Sequence, residues 1–274
     1  MGAATETAMR PLNAGATAQR PNNAAPAAAS AGRGSVGLRI LKFVLALALI
    51  PACIGFSLGV HDHFTSLWTR MNFAVFGPGS MLKWFCGGIA GFAAFAILLW
   101  RPVVLYVFGH ELVHAFATWL CLGRVTNLAA SASGGQVTTT KSNTFIRLAP
   151  YCVPFYVLLT AGIYLALDAW VTPLRGYIHI LGVLAGFFYA FHIGFTLWSL
   201  RRDQPDLKPD GWLFSLVLIY LANLAVFVSL AGFLWDGQPR GSWTALRDAS
   251  LHGWEQTLHI YRNLIAFVEQ NVGR

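Results

Sequence analysis

The sequence predicts an all-α, polytopic membrane protein of about six transmembrane helices, with a short hairpin or loop after the third. Three observations point there. Of 274 residues, 56% are hydrophobic and only 11% charged, where soluble chains average about 25% charged. The mean hydropathy is +0.56. Apolar runs of about 20 residues, long enough to cross the hydrocarbon core as helices, recur along the chain.

The elements follow in order. Residues 1–35 are rich in Ala, Pro, Asn, Gly and Thr; they cannot bury enough surface to offset chain entropy, which predicts a disordered tail. The apolar run begins only after Arg39, too late for an ordinary secretory signal, so it is expected to remain as a membrane helix. A membrane domain over 36–235 holds candidate spans at about 38–60, with a kink expected at Pro51, and at about 82–100, 102–122, 148–171, 178–200 and 212–234. The segment 61–80 reads as an interfacial excursion. Ala132 to Thr140 combines glycines with β-branched residues and suggests a short hairpin or extended loop. In 236–274, Leu251, Trp254, Leu258, Tyr261, Ile265 and Val268 recur at alternating three-and-four spacing, the mark of one apolar helical face. Polar residues interrupt this tail throughout, which predicts an amphipathic helix on the interface or packed on the membrane domain.

The formal charge of +8 and pI near 9.6 do not indicate nucleic acid. Lys and Arg punctuate the spans instead of forming one stripe, and loop ends near lipid headgroups account for them. With six alternating helices, basic residues fall on both sides and leave the orientation open. Cys53, Cys86, Cys121 and Cys152 form no CxxC pair, so neither a thiolate metal site nor a disulfide framework is indicated. Oligomeric state is not encoded in any such pattern.

One residue breaks the apolar monotony. Glu111 is the single acidic residue between Asp62 and Asp168, and a carboxylate near a bilayer centre costs at least about 2.5–3.5 kcal/mol. Its surroundings read Gly109-His110-Glu111-Leu112-Val113-His114, the HExxH pattern. Residues four apart on a helix point nearly the same way, so His110 and His114 can bind one ion from a single helix. Glu111 lies about 100° round from His110, where it can reach a water at the ion without being a ligand. Zinc suits such a donor set, and a catalytic site needs a third protein ligand with a fourth position open. Chance HExxH matches arise on the order of a few per thousand chains of this kind. Heme ligation or helix packing by the histidine pair is the bland alternative.

Asp206 and Asp210, just before the last span, are the candidates for the third ligand. The loop must dip into the membrane to reach the histidines, and either Asp could instead serve the positive end of the following helix. His192, inside the fifth span, is a further candidate whose alternative is an interhelical hydrogen bond. His179 reads as interfacial, His61 and His63 as a solvated edge, and His252 and His259 as water-facing.

With HExxH inside an apolar helix, the chain resembles the M50 peptidases, the site-2 protease class of intramembrane zinc metalloproteases. It is most similar to their compact bacterial branch without a PDZ domain. The resemblance covers about 102–232. It is anchored by Gly109 to Ala115, with Gly134-Gly135-Gln136-Val137 matching the family's membrane-associated hairpin and Leu148-Ala149-Pro150-Tyr151 in support. It implies zinc on His110 and His114, water activation by Glu111, and an aspartate third ligand in an LDG sequence on a later helix. It also implies a membrane protein or peptide substrate in the lipid bilayer, and placement in a bacterial cytoplasmic membrane. The chain departs from the pattern at Val113, where the family often has Gly, and in lacking LDG. Pro209-Asp210-Gly211 is a partial echo. Pro209 suits a first helical position, which would give Asp210 a dipole role in the first turn; Asp206 has no such explanation and ranks ahead. The expected activity is hydrolysis of peptide bonds within or near the bilayer, the alternative a non-proteolytic membrane protein with a structural metal site or an ion-transport role. Residues that bind substrate are not legible.

Overall fold

The computed structural model describes residues 36–70, 81–98, 102–131, 134–170, 177–236 and 239–272. The tail expected over 1–35 lies outside them. The described residues form α1 (Val36–Arg70), α2 (Met81–Leu98), α3 (Val103–Leu120), β1 (Val125–Ser131), β2 (Gly134–Thr139), α4 (Thr144–Cys152), α5 (Phe155–Trp170), α6 (Ile178–Leu200), α7 (Trp212–Asp236) and α8 (Pro239–Val272). Five of these helices are long and apolar enough to cross a membrane, and a sixth span is possible if the bent pair α4–α5 counts as one.

That pair corrects the continuous span expected over 148–171. The helix starts earlier, at Thr144, where Asn143 caps it through a 2.8 Å bond from the Ile146 amide to its side-chain oxygen. It then breaks at Val153-Pro154 with a 72° bend. Pro154 has no N–H to continue the ladder and forces its predecessor towards extended backbone, and Val153 sits at φ −99°, ψ 112°. The break leaves the Tyr151 carbonyl without a helical donor, and Asn223 of α7 donates its amide to it at 2.8 Å.

The segment 61–70, expected as part of an excursion, continues α1 as helix, and α1 runs through Pro51; 71–80 lies outside the described residues. The hairpin is longer than the expected 132–140. β1 and β2 pair antiparallel from Val125↔Thr139 to Ser131↔Gly134, with an irregularity between Val125 and Asn127. Its first strand, Val-Thr-Asn-Leu-Ala-Ala-Ser, begins two residues after Gly123, ahead of the glycine-rich stretch that suggested the hairpin.

The closest helix pairs are α2 with α6 and α1 with α8, and α7 packs against both α1 and α8. α2 and α6 meet through glycines: a β-carbon at Gly88 would come 2.0 Å from the Val183 carbonyl oxygen, and one at Gly186 2.0 Å from that of Phe85. In lipid, where no hydrophobic force drives helices together, such backbone approach supplies the packing. α1 and α7 meet through Ala46, Phe214 and Val217, and Ser57 Oγ bonds Tyr220 Oη at 2.5 Å. α8 is helical from Pro239 and lies on α1 through its small residues. Gly253 backs onto Gly55, and Thr257 is buried. Leu251, Trp254, Leu258, Tyr261 and Ile265 stay exposed, so the apolar stripe read from the sequence faces away from the bundle.

A buried ion cluster ties the start of α1 to the start of α4 and the α6–α7 loop. Asp210, its side chain fully buried, accepts from Lys42, from Thr144 at 2.8 Å and from Arg147 Nε at 2.9 Å. Burial alone would raise the Asp210 carboxyl, but these donors together hold it below its ordinary value. Removing one partner of a buried pair strands the other charges, at a cost of about 3–5 kcal/mol. Asp210→Ala is therefore expected to lower the thermal unfolding temperature in detergent by several degrees. A carboxyl depressed on folding stabilises fully above its unfolded pKa of about 3.9 and loses that contribution as pH falls through the folded value. The gap between wild type and variant should close in strong acid and persist at neutral pH.

Candidate metal centre

α3 carries the HExxH residues, and its helical repeat aims both histidines inward. Their rings lie 4.9 Å apart, centroid to centroid. His114 is fixed by a 2.8 Å hydrogen bond between its Nδ1 and the Ile146 carbonyl of α4. That bond places the proton on Nδ1 and turns the Nε2 lone pair towards the site. His110 is held by packing against Tyr106 and Tyr151, with centroids 5.6 and 5.0 Å away. Among the described residues its buried Nδ1 has no hydrogen-bond partner. His110 lines a cavity of about 20 Å³ beside the α4–α5 break, room for a single water.

The α6–α7 loop brings Asp206 to both rings. Its Oδ2 lies 3.6 Å from His110 Nε2 and 3.5 Å from His114 Nε2. Those separations are too long for hydrogen bonds. They approach the roughly 3.3 Å ligand-to-ligand edge of a tetrahedron with bonds of about 2.0 Å, which is the zinc geometry. One donor atom from each of the three residues lies within 4.8 Å of the others, and two imidazoles with one carboxylate are a donor set that zinc favours. Burial would raise the Asp206 carboxyl, but the two facing imidazoles outweigh it and hold it ionised, below the usual carboxylate range. Tyr151, wholly buried, has its hydroxyl 3.1 Å from both Asp206 Oδ2 and Gln204 Oε1, and Gln204 donates in turn to the Ser199 carbonyl at 2.9 Å. The Asp206 side chain is a quarter exposed, so the site reaches water at the loop.

No family model, curated protein or solved structure matches this chain. The site therefore stands on its own geometry.

Glu111 is buried beneath the hairpin. A β-carbon at Gly135 would come 2.5 Å from Glu111 Oε1 and 2.7 Å from Val107 Cγ1, so only glycine lets β2 lie on this face of α3. Asp210, the alternate third ligand, is engaged elsewhere by Lys42 and Arg147. Nor does it sit in the first turn of α7, which begins at Trp212 after Gly211 at φ +87°.

Among the described residues no other histidine joins the donor group, although His192 lines the same cavity as His110. His192 is buried with Nε2 3.2 Å from Asn223 Oδ1, the interhelical contact weighed for it. His179 packs on Trp84, ring centroids 5.3 Å apart. His61 and His259 are exposed, and the side chains of His63 and His252 lie outside the described residues. No sequence signal pointed to the supporting roles of Tyr151, Gln204 and the Ile146 carbonyl. Tyr151 stood only within a motif, without a role, and none of the three has a spacing that would announce it.

Proposed function

We propose that the chain is a membrane-embedded zinc metallopeptidase of the site-2 protease type, hydrolysing peptide bonds of membrane-associated substrates. The observation that carries this reading is the convergence of His110 Nε2, His114 Nε2 and Asp206 Oδ2 beside a buried glutamate one residue from the first ligand. Three protein ligands leave a fourth position for water or substrate, the arrangement of catalytic zinc and not of closed structural sites. Zinc, when bound, supplies a Lewis acid for the scissile carbonyl and acidifies a water.

The protein's own residues do the rest. Glu111 takes a proton from the attacking water as its oxygen bonds to the carbonyl carbon. The same carboxyl then protonates the departing amine as the carbon–nitrogen bond breaks. The hairpin over Glu111 shields that exchange from bulk solvent, and the partly exposed Asp206 keeps the site in reach of water.

The test is metal content and hydrolysis of a membrane peptide in proteoliposomes. About one zinc per chain is expected. Chelation should abolish cleavage, and added zinc should restore it. A purified chain with no divalent cation would overturn the reading. Zinc with no cleavage of any membrane substrate would make the centre a structural or transport site.

A further inference from the structure

The pairing of the helices fixes how often the chain changes sides. α1 and α7 run parallel: Lys42 meets Asp210 at their starts, and Ser57 meets Tyr220 further along. α2 and α6 also run parallel, with Gly182 against Met81, Gly186 against Phe85 and Gly194 against Phe92. The loop after α6 leads into α7, so α6 ends where α1 and α7 begin, and α2 ends there too. The chain thus leaves α2 at this first end and must enter α6 at the opposite one, which allows only one net crossing between them.

The broken helix α4–α5 supplies that crossing. Thr144 at its start bonds Asp210 at the first end, and Tyr156 and Val157 pack beside Phe188 and Tyr189 near the middle of α6. α3 is then left with both termini on the first end. At its start, Val103 packs on the cluster of Tyr106, Phe191 and Phe195, against which Trp198, close to the last turn of α6, also packs. At its exit, Lys141 bonds the Cys121 carbonyl at 2.9 Å and Asn143 bonds the Cys121 sulfur, one residue before Thr144. An apolar outer face that includes Phe108, Phe116 and Trp119 suits a helix lying against lipid without traversing it.

Charge separates the two ends. The first carries Arg39 and Lys42 on α1, then Arg124, Lys141 and Arg147 around the hairpin. The α6–α7 loop adds Arg201, Arg202 and Lys208. At the other end the described chain has Arg70, Lys83, Arg240 and Arg247, half as many. Lys and Arg near span ends set orientation, and acidic residues count for little.

We propose that α3 lies across one end of the bundle without crossing the bilayer, that the chain crosses five times, and that the basic end bearing His110, His114 and Asp206 is held against the anionic cytoplasmic leaflet. Anionic headgroups fit this surface because basic clusters at a membrane face draw them. The placement also explains how a loop residue reaches the histidines: the helix that bears them stays near the surface from which the loop descends. It stands without the peptidase reading; taken with that reading, substrate and water enter from the cytoplasmic side.

The experiment is single-cysteine labelling with a membrane-impermeant maleimide, in the full chain with its four native cysteines changed to serine, in sealed right-side-out and inverted vesicles. Asp203→Cys and His61→Cys are expected to label from opposite sides, with Asp203→Cys reached only in inverted vesicles. Labelling of both from the same side, the outcome of six alternating crossings, would overturn the proposal, as would reaching Asp203→Cys only from outside. If the serine background fails to fold, trypsin acts on the unaltered chain instead. Cleavage at Arg201 or Arg202 should occur only in inverted vesicles, and cleavage there in right-side-out vesicles alone would equally refute the orientation. Neither readout needs zinc or activity.

Discussion

Glu111→Gln is expected to abolish hydrolysis, by about 100- to 10,000-fold, while leaving zinc content unchanged. The magnitude is that of a positioned general base. Glutamine keeps the shape and volume of the side chain, so Gly135 still seats against it and the hairpin is not displaced. It cannot take a proton from water. The metal should stay because the converging donors are His110, His114 and Asp206, none of which is altered. The two measurements together separate the roles. Lost activity with retained zinc assigns Glu111 to proton transfer. Lost zinc would make it a ligand, and retained activity would remove it from the mechanism altogether. A milder loss, of ten-fold or less, would point to a carboxylate that only tunes the field at the site.

The part of this centre that is local in sequence was legible; the part that is distant was not. His110, Glu111 and His114 sit within one helical turn, and the 3.6-residue repeat alone predicts that the two rings face the same way. Asp206 comes from a loop far along the chain. Its rank over Asp210 rested on a helix-start argument for Asp210 that the structure replaces: Lys42 and Arg147, from two other elements, occupy Asp210 instead. No local pattern encodes such a contact. The α4–α5 break shows the same limit on the scale of the fold. Pro154 was visible, but a proline within a membrane segment can be absorbed by its neighbours, and only the docking of Asn223 on the Tyr151 carbonyl shows how this one is tolerated. For α8, periodicity identified the helix and its apolar stripe correctly. Which side packs was decided by Gly253 and Thr257, because in lipid small residues make the contact and large apolar ones can face outwards.

Asp206→Ala should release the metal without unfolding the chain, whereas Asp210→Ala should unfold it more readily without releasing the metal. Removing one of three protein ligands leaves two imidazoles on one helix, a pair that weak chelators outcompete; altering residues behind the ligands typically costs 10- to 100-fold in affinity, so losing a ligand itself is expected to exceed about 100-fold. The fold should tolerate the change. The loop is anchored four residues on by Asp210 and its three donors, and Tyr151 keeps its contact with Gln204 when Asp206 is gone. The Asp206 side chain is also partly open to water, so no large cavity is left behind. The two aspartates, so alike in sequence context, should therefore respond oppositely when zinc content and unfolding temperature are measured on the same preparations. If Asp210→Ala empties the site at a temperature where the protein remains folded, while Asp206→Ala keeps its zinc, the assignment of the third ligand is reversed. Asp206→Glu sharpens the comparison: it restores the carboxylate but lengthens the arm by one methylene, so zinc should return in part if coordination, and not charge alone, is what Asp206 provides.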